Sequence, residues 1–239
     1  MPTTGKRTTW QKIWRITKKI FLWMFILQFV YIIILRWVNP PITMTQLVSW
    51  VSGHGMKRDY VRNSSISPYA KLAVISSEDQ RFPDHNGFDW KSIQKAMDYN
   101  EEHDGKKRRG ASTISQQVAK NVFLWQGGGW IRKGLETYFT FMIELFWSKK
   151  RILEVYLNVS EMGDGIFGIE MAAQKYFGKP AGKLTQRESA MIAACLPNPK
   201  RYKVKPPSPY VLARSQKIMR QMNNLLTDPD VRRVTGLGP

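Results

Sequence analysis

Residues 76–90, SSEDQRFPDHNGFDW, set Glu78 and Asp79 side by side at the end of an apolar run, Leu72, Ala73, Val74 and Ile75. Phe82, His85, an Asn86-Gly87 turn and Asp89 follow within about one loop. Catalytic acids and bases tend to sit on loops held by a rigid scaffold. A carboxyl at the edge of an apolar helix has its ionised form disfavoured by desolvation, which suits proton transfer. The plain alternative is an Asp-rich helix end followed by a turn. A second stretch, residues 110–117 (GASTISQQ), has Thr113 and Gln116 at capping-box spacing for a helix over 114–124. A glycine turn feeding such a helix N-terminus is a natural place for an anion, and Lys120 lies about two turns in. Capping motifs are mostly structural, so this stretch alone is a weak pointer.

A third group sits on a predicted helix over 130–147, apolar nearly all round and therefore expected to be central in a core. Its polar residues Arg132, Glu136, Thr140 and Glu144 recur every four residues on one face. A buried glutamate needs a partner or a function; a simple Arg132–Glu136 helical ion pair is the competing reading. Residues 152–159 (ILEVYLNV) predict another helix with Glu154 and Asn158 one turn apart.

These groups need a scaffold, and the pattern along the chain supplies helices. Ser67-Pro68 predicts a helix start, with further helices over 90–100, 169–177, 184–196 and 210–226. No stretch shows convincing period-2 alternation, so the expectation is an all-α body with loops forming a cleft. Residues 39–66 read as a juxtamembrane linker, residues 67–226 as the functional domain, and residues 227–239 as a frayed tail.

The chain of 239 residues carries a net charge of +19, a balance that points to a polyanionic partner or an anionic membrane. A single cysteine, Cys195, excludes an internal disulfide and a cysteine-based zinc cluster, and three scattered histidines argue against a His-rich metal site. Residues 1–19 carry Lys6, Arg7, Lys12, Arg15, Lys18 and Lys19 and no acid. An apolar run over 20–35, broken only by Gln28, extends to 38 if Arg36 snorkels, and spans about 28 Å as a helix. This predicts a single membrane helix over 20–38, not a cleaved signal peptide, since no small-x-small site follows. The positive leader places the N-terminus in the cytoplasm and the remainder outside or in the periplasm. Removing the leader's six charges leaves +13 on the far side of the membrane, where nucleic acid is not the partner.

Taken together, these residues resemble the glycosyltransferase domain of peptidoglycan polymerases, glycosyltransferase family 51, in the form that carries no penicillin-binding domain. The likeness runs from about Tyr60 to Tyr210, and five motifs appear in order. They are Glu78-Asp79-x-x-Phe82-x-x-His85-x-Gly87, the 110–117 segment, Arg132-Lys133-x-x-Glu136, residues 152–158, and Ala172-Ala173-x-x-Tyr176-Phe177. The resemblance implies a lysozyme-like, largely helical domain in a bacterial inner membrane. It implies transfer of a growing glycan chain, carried on a polyprenyl pyrophosphate, to the GlcNAc 4-hydroxyl of lipid II, with inversion to a β-1,4 bond. By that resemblance Glu78 is the base and Glu136 assists the departing group, directly or through a metal. Lys120, Arg132 and Lys133 meet the pyrophosphate, and Ser112, Thr113 and Gln117 line the site. Asp79, Phe82, His85, Gly87, Glu154 and Asn158 support the motifs, with Asp79, His85 and Asp89 better read as frame than as further catalysts. A divalent cation, Mg or Mn, at the pyrophosphate is left open, as are partners among cell-division or cell-wall synthesis proteins. One departure stands out: Gly128 and Gly129 occupy positions where the family commonly has Arg-Ser, which predicts weaker pyrophosphate binding or compensation from Lys106–Arg109. Two rivals are a lysozyme-like hydrolase or lytic transglycosylase, which would not need the basic set, and a non-catalytic membrane-anchored scaffold, against which the intact Glu78 and Glu136 argue.

Overall fold

The computed structural model describes residues 9–103 and 110–238. The first part of the leader and the Lys106–Arg109 cluster lie outside the described residues. The chain divides into two units, Met1–Asn39 and Pro40–Pro239. The first holds α1, Thr9–Ile34, a 26-residue helix that is long and apolar enough to cross a membrane. It begins earlier than the apolar run, because Lys12, Arg15, Lys18 and Lys19 are good helix formers and simply extend it. It also ends before residue 38: an i→i−3 bond from Trp37 to Ile34 tightens the last turn ahead of Pro40-Pro41.

The second unit starts with α2 (Met44–Val51), whose N-cap Thr43 and Gln46 form a reciprocal capping box. Strand β1 (Lys57–Arg58) follows, then α3 (Pro68–Glu78), α4 (Trp90–Glu102), α5 (Ile114–Phe123), α6 (Trp130–Phe146) and α7 (Lys149–Val159). Next come β2 (Glu161–Gly163), β3 (Ile166–Phe167), α8 (Ile169–Phe177), α9 (Gln186–Cys195), α10 (Pro209–Leu225) and α11 (Pro229–Thr235). The mainly α expectation holds, with one addition: β1 pairs parallel and β2 antiparallel with β3, giving a three-stranded sheet in the order β1-β3-β2. Strands of two or three residues are too short to show an alternating pattern.

Residues 39–66, expected as a linker, carry elements built into this unit. Lys57 donates to Gly165, and Asn158 grips Val61 by both edges of its amide, at 2.9 Å each. Asn158, a candidate site residue by sequence, is thus completely buried and holds the 57–66 segment in place. Likewise residues 229–235 are not frayed. Asp228 caps α11, which buries Val231 and Val234 against α3 and α7.

The core centres on α3, buried from Ala70 to Ser76 and packed against α9 and α10. A second layer has α5 between α6 and α7. Helix α6 departs from expectation. It is not buried all round but turns its polar stripe inward: Glu136 and Thr140 are buried, while Ile131, Leu135, Phe141 and Leu145 face out. Apolar composition says how much of a helix avoids water, not which side its own chain covers.

Candidate active site

Glu78 is the last residue of α3, and the backbone turns out of the helix at Asp79. Its position depends on how the following loop is tied down. The Asp79 carboxylate accepts the backbone N–H of Ile114 at 3.0 Å and sits 3.0 Å from Nε2 of His85. Both groups are buried. Asp79 therefore fills the N-terminus of α5, where it meets a free N–H and the positive end of the helix. The Thr113 hydroxyl accepts from Gln116 N–H and donates to the Gly87 carbonyl at 2.7 Å. At this helix start, expected as an anion site, the Ile114 N–H goes to Asp79 and the Gln116 N–H to the capping box. Thr113 is buried and held by these bonds, Ser112 is exposed, and both line the cleft beside Glu78.

The rest of the loop is equally fixed. Phe82 is fully buried, with the Lys149 ammonium 4.6 Å above its ring. Asp89 caps α4 through Ser92 and takes Arg81 at 2.9 Å. Gly87 has φ +87°, and a Cβ there would lie 2.7 Å from Cγ2 of Thr140 on α6. A Gly87→Ala variant is accordingly expected to lose about 2–4 kcal/mol, combining a strained φ with overpacking. Thermal or denaturant unfolding of the purified protein measures it, and an unchanged midpoint would show that α6 gives way.

Glu78 itself is partly buried and accepts Nε2 of Gln117 at 2.9 Å. The Oε1 of Gln117 takes the hydroxyl of the fully buried Tyr156 at 3.3 Å, which fixes the amide so that its N–H side faces the carboxylate. Burial pushes the Glu78 carboxyl above the ordinary value, and nearby Asp79 adds to this. The Gln117 bond, the positive charge of Arg214 and Ser77 hold it back. The result is a carboxylate with raised basicity and a fixed orientation. Tyr156 lies inside the fourth motif, but Arg214 on α10 carries no local sequence signal.

On the next turn of α5 stands Lys120, which makes no ion pair among the described residues. Burial lowers its pKa; Glu136 and Glu78 oppose this, and Arg132 and Lys133 reinforce it. Glu136, only 3% exposed, is clamped by Arg132 at 2.7 Å and Lys133 at 2.5 Å. The helical ion pair expected from the four-residue spacing is present, with Lys133 added to it. Glu144 is structural, receiving the Ser115 hydroxyl and the Lys149 ammonium. So is Glu154, held by Arg151 at 2.5 Å on α7.

Two clefts meet at the Glu78–Gln117 pair. One, of about 540 Å³, is bounded by Glu78, Arg81, Lys95, residues 110–113 and Arg214. The other, of about 360 Å³, is bounded by α2, Gln117, Lys120, Tyr156, Glu161 and Lys200. Among the described residues no group of three His, Cys, Asp or Glu side chains converges as a metal cage. Both oxygens of Glu136 hold cations in this arrangement, Arg132 on one and Lys133 on the other.

A half-buried carboxylate of raised pKa and a set of cations on adjoining helices suit an enzyme that transfers a group away from an anionic leaving group. The chain belongs to the transglycosylase family, whose model, described as Transglycosylase, matches residues 44–223. The chain is 55% identical over 187 residues to the biosynthetic peptidoglycan transglycosylase of Shigella boydii serotype 4 (strain Sb227), covering 77% of each chain. It is equally similar, over the same shares, to the proteins of that name from Escherichia coli strains ATCC 8739 and K12 / DH10B.

Proposed function

We propose that this protein polymerises peptidoglycan glycan chains from lipid II for cell-wall synthesis. The observation that carries the reading is the placement of Glu78, a raised-pKa carboxylate, between a cleft and Lys120, which has no ion pair among the described residues. In the reaction the lipid II GlcNAc 4-hydroxyl gives its proton to Glu78 while its oxygen bonds to the donor anomeric carbon. The bond from that carbon to the polyprenyl pyrophosphate breaks with inversion, and the leaving group takes the electron pair. Charge grows on that pyrophosphate in the transition state, so fixed cations there stabilise it more than they stabilise the bound substrate. Lys120 provides one. Arg132 and Lys133 provide two more when they turn from Glu136 to the phosphates, and Glu136 then serves as their counter-charge.

A single pass of α1 in the bacterial inner membrane, with its cationic start in the cytoplasm and the domain in the periplasm, suits this substrate. The outward apolar side chains of α6 suit a lipid surface, and the basic surface of the domain suits its anionic head groups. Purified protein given lipid II should build glycan chains. Release of muropeptides from polymeric glycan, with no growth from lipid II, would instead establish a cleaving enzyme.

The Gly128 position tests the phosphate side. A Cβ at Gly128 meets nothing within 4 Å, so an arginine fits, whereas Gly129 at φ +125° would be strained by a serine. Gly128→Arg is expected to raise turnover severalfold at low lipid II concentration by adding a phosphate contact. Unchanged turnover would show that the existing cations already saturate the pyrophosphate.

A further inference from the structure

Arg214 stands alone in the larger cleft. It projects from α10 into the wall that also holds Glu78, and its charge acts on that carboxylate. It forms no ion pair or hydrogen bond among the described residues, and its Nε is buried without a partner. Most other charges of this cleft are spent within the fold: Asp79 on His85 and Ile114, and Arg81 on Asp89. Lys95, exposed on α4, is the second cation there with no ion pair among the described residues. Arg214 is half-buried, and a buried Nε without a partner beside the Glu78 carboxylate is a donor that a ligand would complete.

We propose that Arg214, supported by Lys95, forms an anion subsite for the acceptor substrate. The inference rests on the polymerase reading and deepens it. Glu78 must touch the acceptor hydroxyl, so the acceptor lies against Glu78. The donor pyrophosphate is drawn to Lys120 on the far side of Gln117. The cleft of about 540 Å³ on the Arg214 side is then left for the acceptor. A lipid II acceptor carries two kinds of anion, its own pyrophosphate and the carboxylates of its peptide, and a planar guanidinium accepts either through paired N–H donors.

The test separates the two substrates. Full-length protein in detergent is given a lipid-linked tetrasaccharide whose terminal 4-hydroxyl is blocked, which can only donate, and lipid II as acceptor. Arg214→Gln is expected to raise the KM for the acceptor about tenfold, the effect of one lost charge-assisted contact, and to leave the donor KM within about twofold. Arg214→Lys should recover part of the loss, and Lys95→Gln should show a smaller effect in the same direction. A peptide-free lipid-linked acceptor identifies the anion. If the penalty vanishes with it, Arg214 reads the peptide carboxylate; if it persists, Arg214 reads the pyrophosphate, and both results support the subsite. Equal rises in both KM values, or no rise in either, overturn the subsite alone. A wild-type protein that makes no transfer sinks the polymerase reading and the subsite with it.

Discussion

Glu78→Gln is expected to lower glycan polymerisation by about 10²–10⁴-fold, the usual contribution of a positioned general base, while making the protein more stable at neutral pH. The two effects share one cause. Burial disfavours the ionised carboxylate, so its pKa in the folded protein lies above the unfolded value. Above the folded pKa the native state carries a desolvated charge that the unfolded chain would hydrate, and stability is lower there. As pH falls through the folded pKa and below the unfolded one, both states are neutral and the penalty disappears. Glutamine is neutral throughout and keeps an oxygen to accept Nε2 of Gln117. The stability gain of Glu78→Gln should thus be full at neutral pH and vanish in acid. The groups facing Glu78 that set the size of the effect are Ser77, Asp79, Gln117, Lys120, Tyr156 and Arg214. Unfolding midpoints across pH, beside lipid II turnover, check both halves. A variant that loses activity and stability together at neutral pH would mean the carboxylate is a structural anchor rather than a strained base.

Much of this site is legible in the sequence because its signals are local. The capping boxes at Thr113 and Thr185, and the Ser67-Pro68 start of α3, fix helix ends by bonds across three or four residues. The four-residue spacing of Arg132 and Glu136 likewise guarantees that they meet. What the sequence hides depends on long loops closing. Asp79 reaches the first N–H of α5 across 35 residues and so takes a donor that local reading leaves open. Tyr156 reaches Gln117 across 39 residues, and only then does the amide have one orientation toward Glu78. The inward turn of the α6 polar stripe is a fact of packing, since the same periodicity fits either face. Arg214 is the extreme case: a lone arginine on an amphipathic helix reads as solvent-facing until α10 lies beside α3.

Glu136→Gln tests whether the cations of the leaving-group side are held in reserve. Glu136 neutralises Arg132 and Lys133 from a site with 3% exposure, and removing a buried partner usually costs about 3–5 kcal/mol when nothing replaces it. Glutamine keeps one oxygen for Arg132, so the fold should survive where Glu136→Ala would lose most of that amount. With the counter-charge gone, Arg132 and Lys133 face the substrate as uncompensated cations. Pyrophosphate should then bind more tightly, seen as a lower inhibition constant for inorganic pyrophosphate. Turnover should nevertheless fall about 10²-fold, because ground state and product are stabilised along with the transition state and the leaving group is released slowly. A burst of one transfer followed by a slow steady state would mark release as the limiting step. If pyrophosphate instead binds more weakly in Glu136→Gln, the two cations depend on Glu136 for their position, and its role is that of a clamp. The direction of the pyrophosphate inhibition constant separates a reserve of charge from a structural ion pair, a difference that loss of activity alone does not reveal.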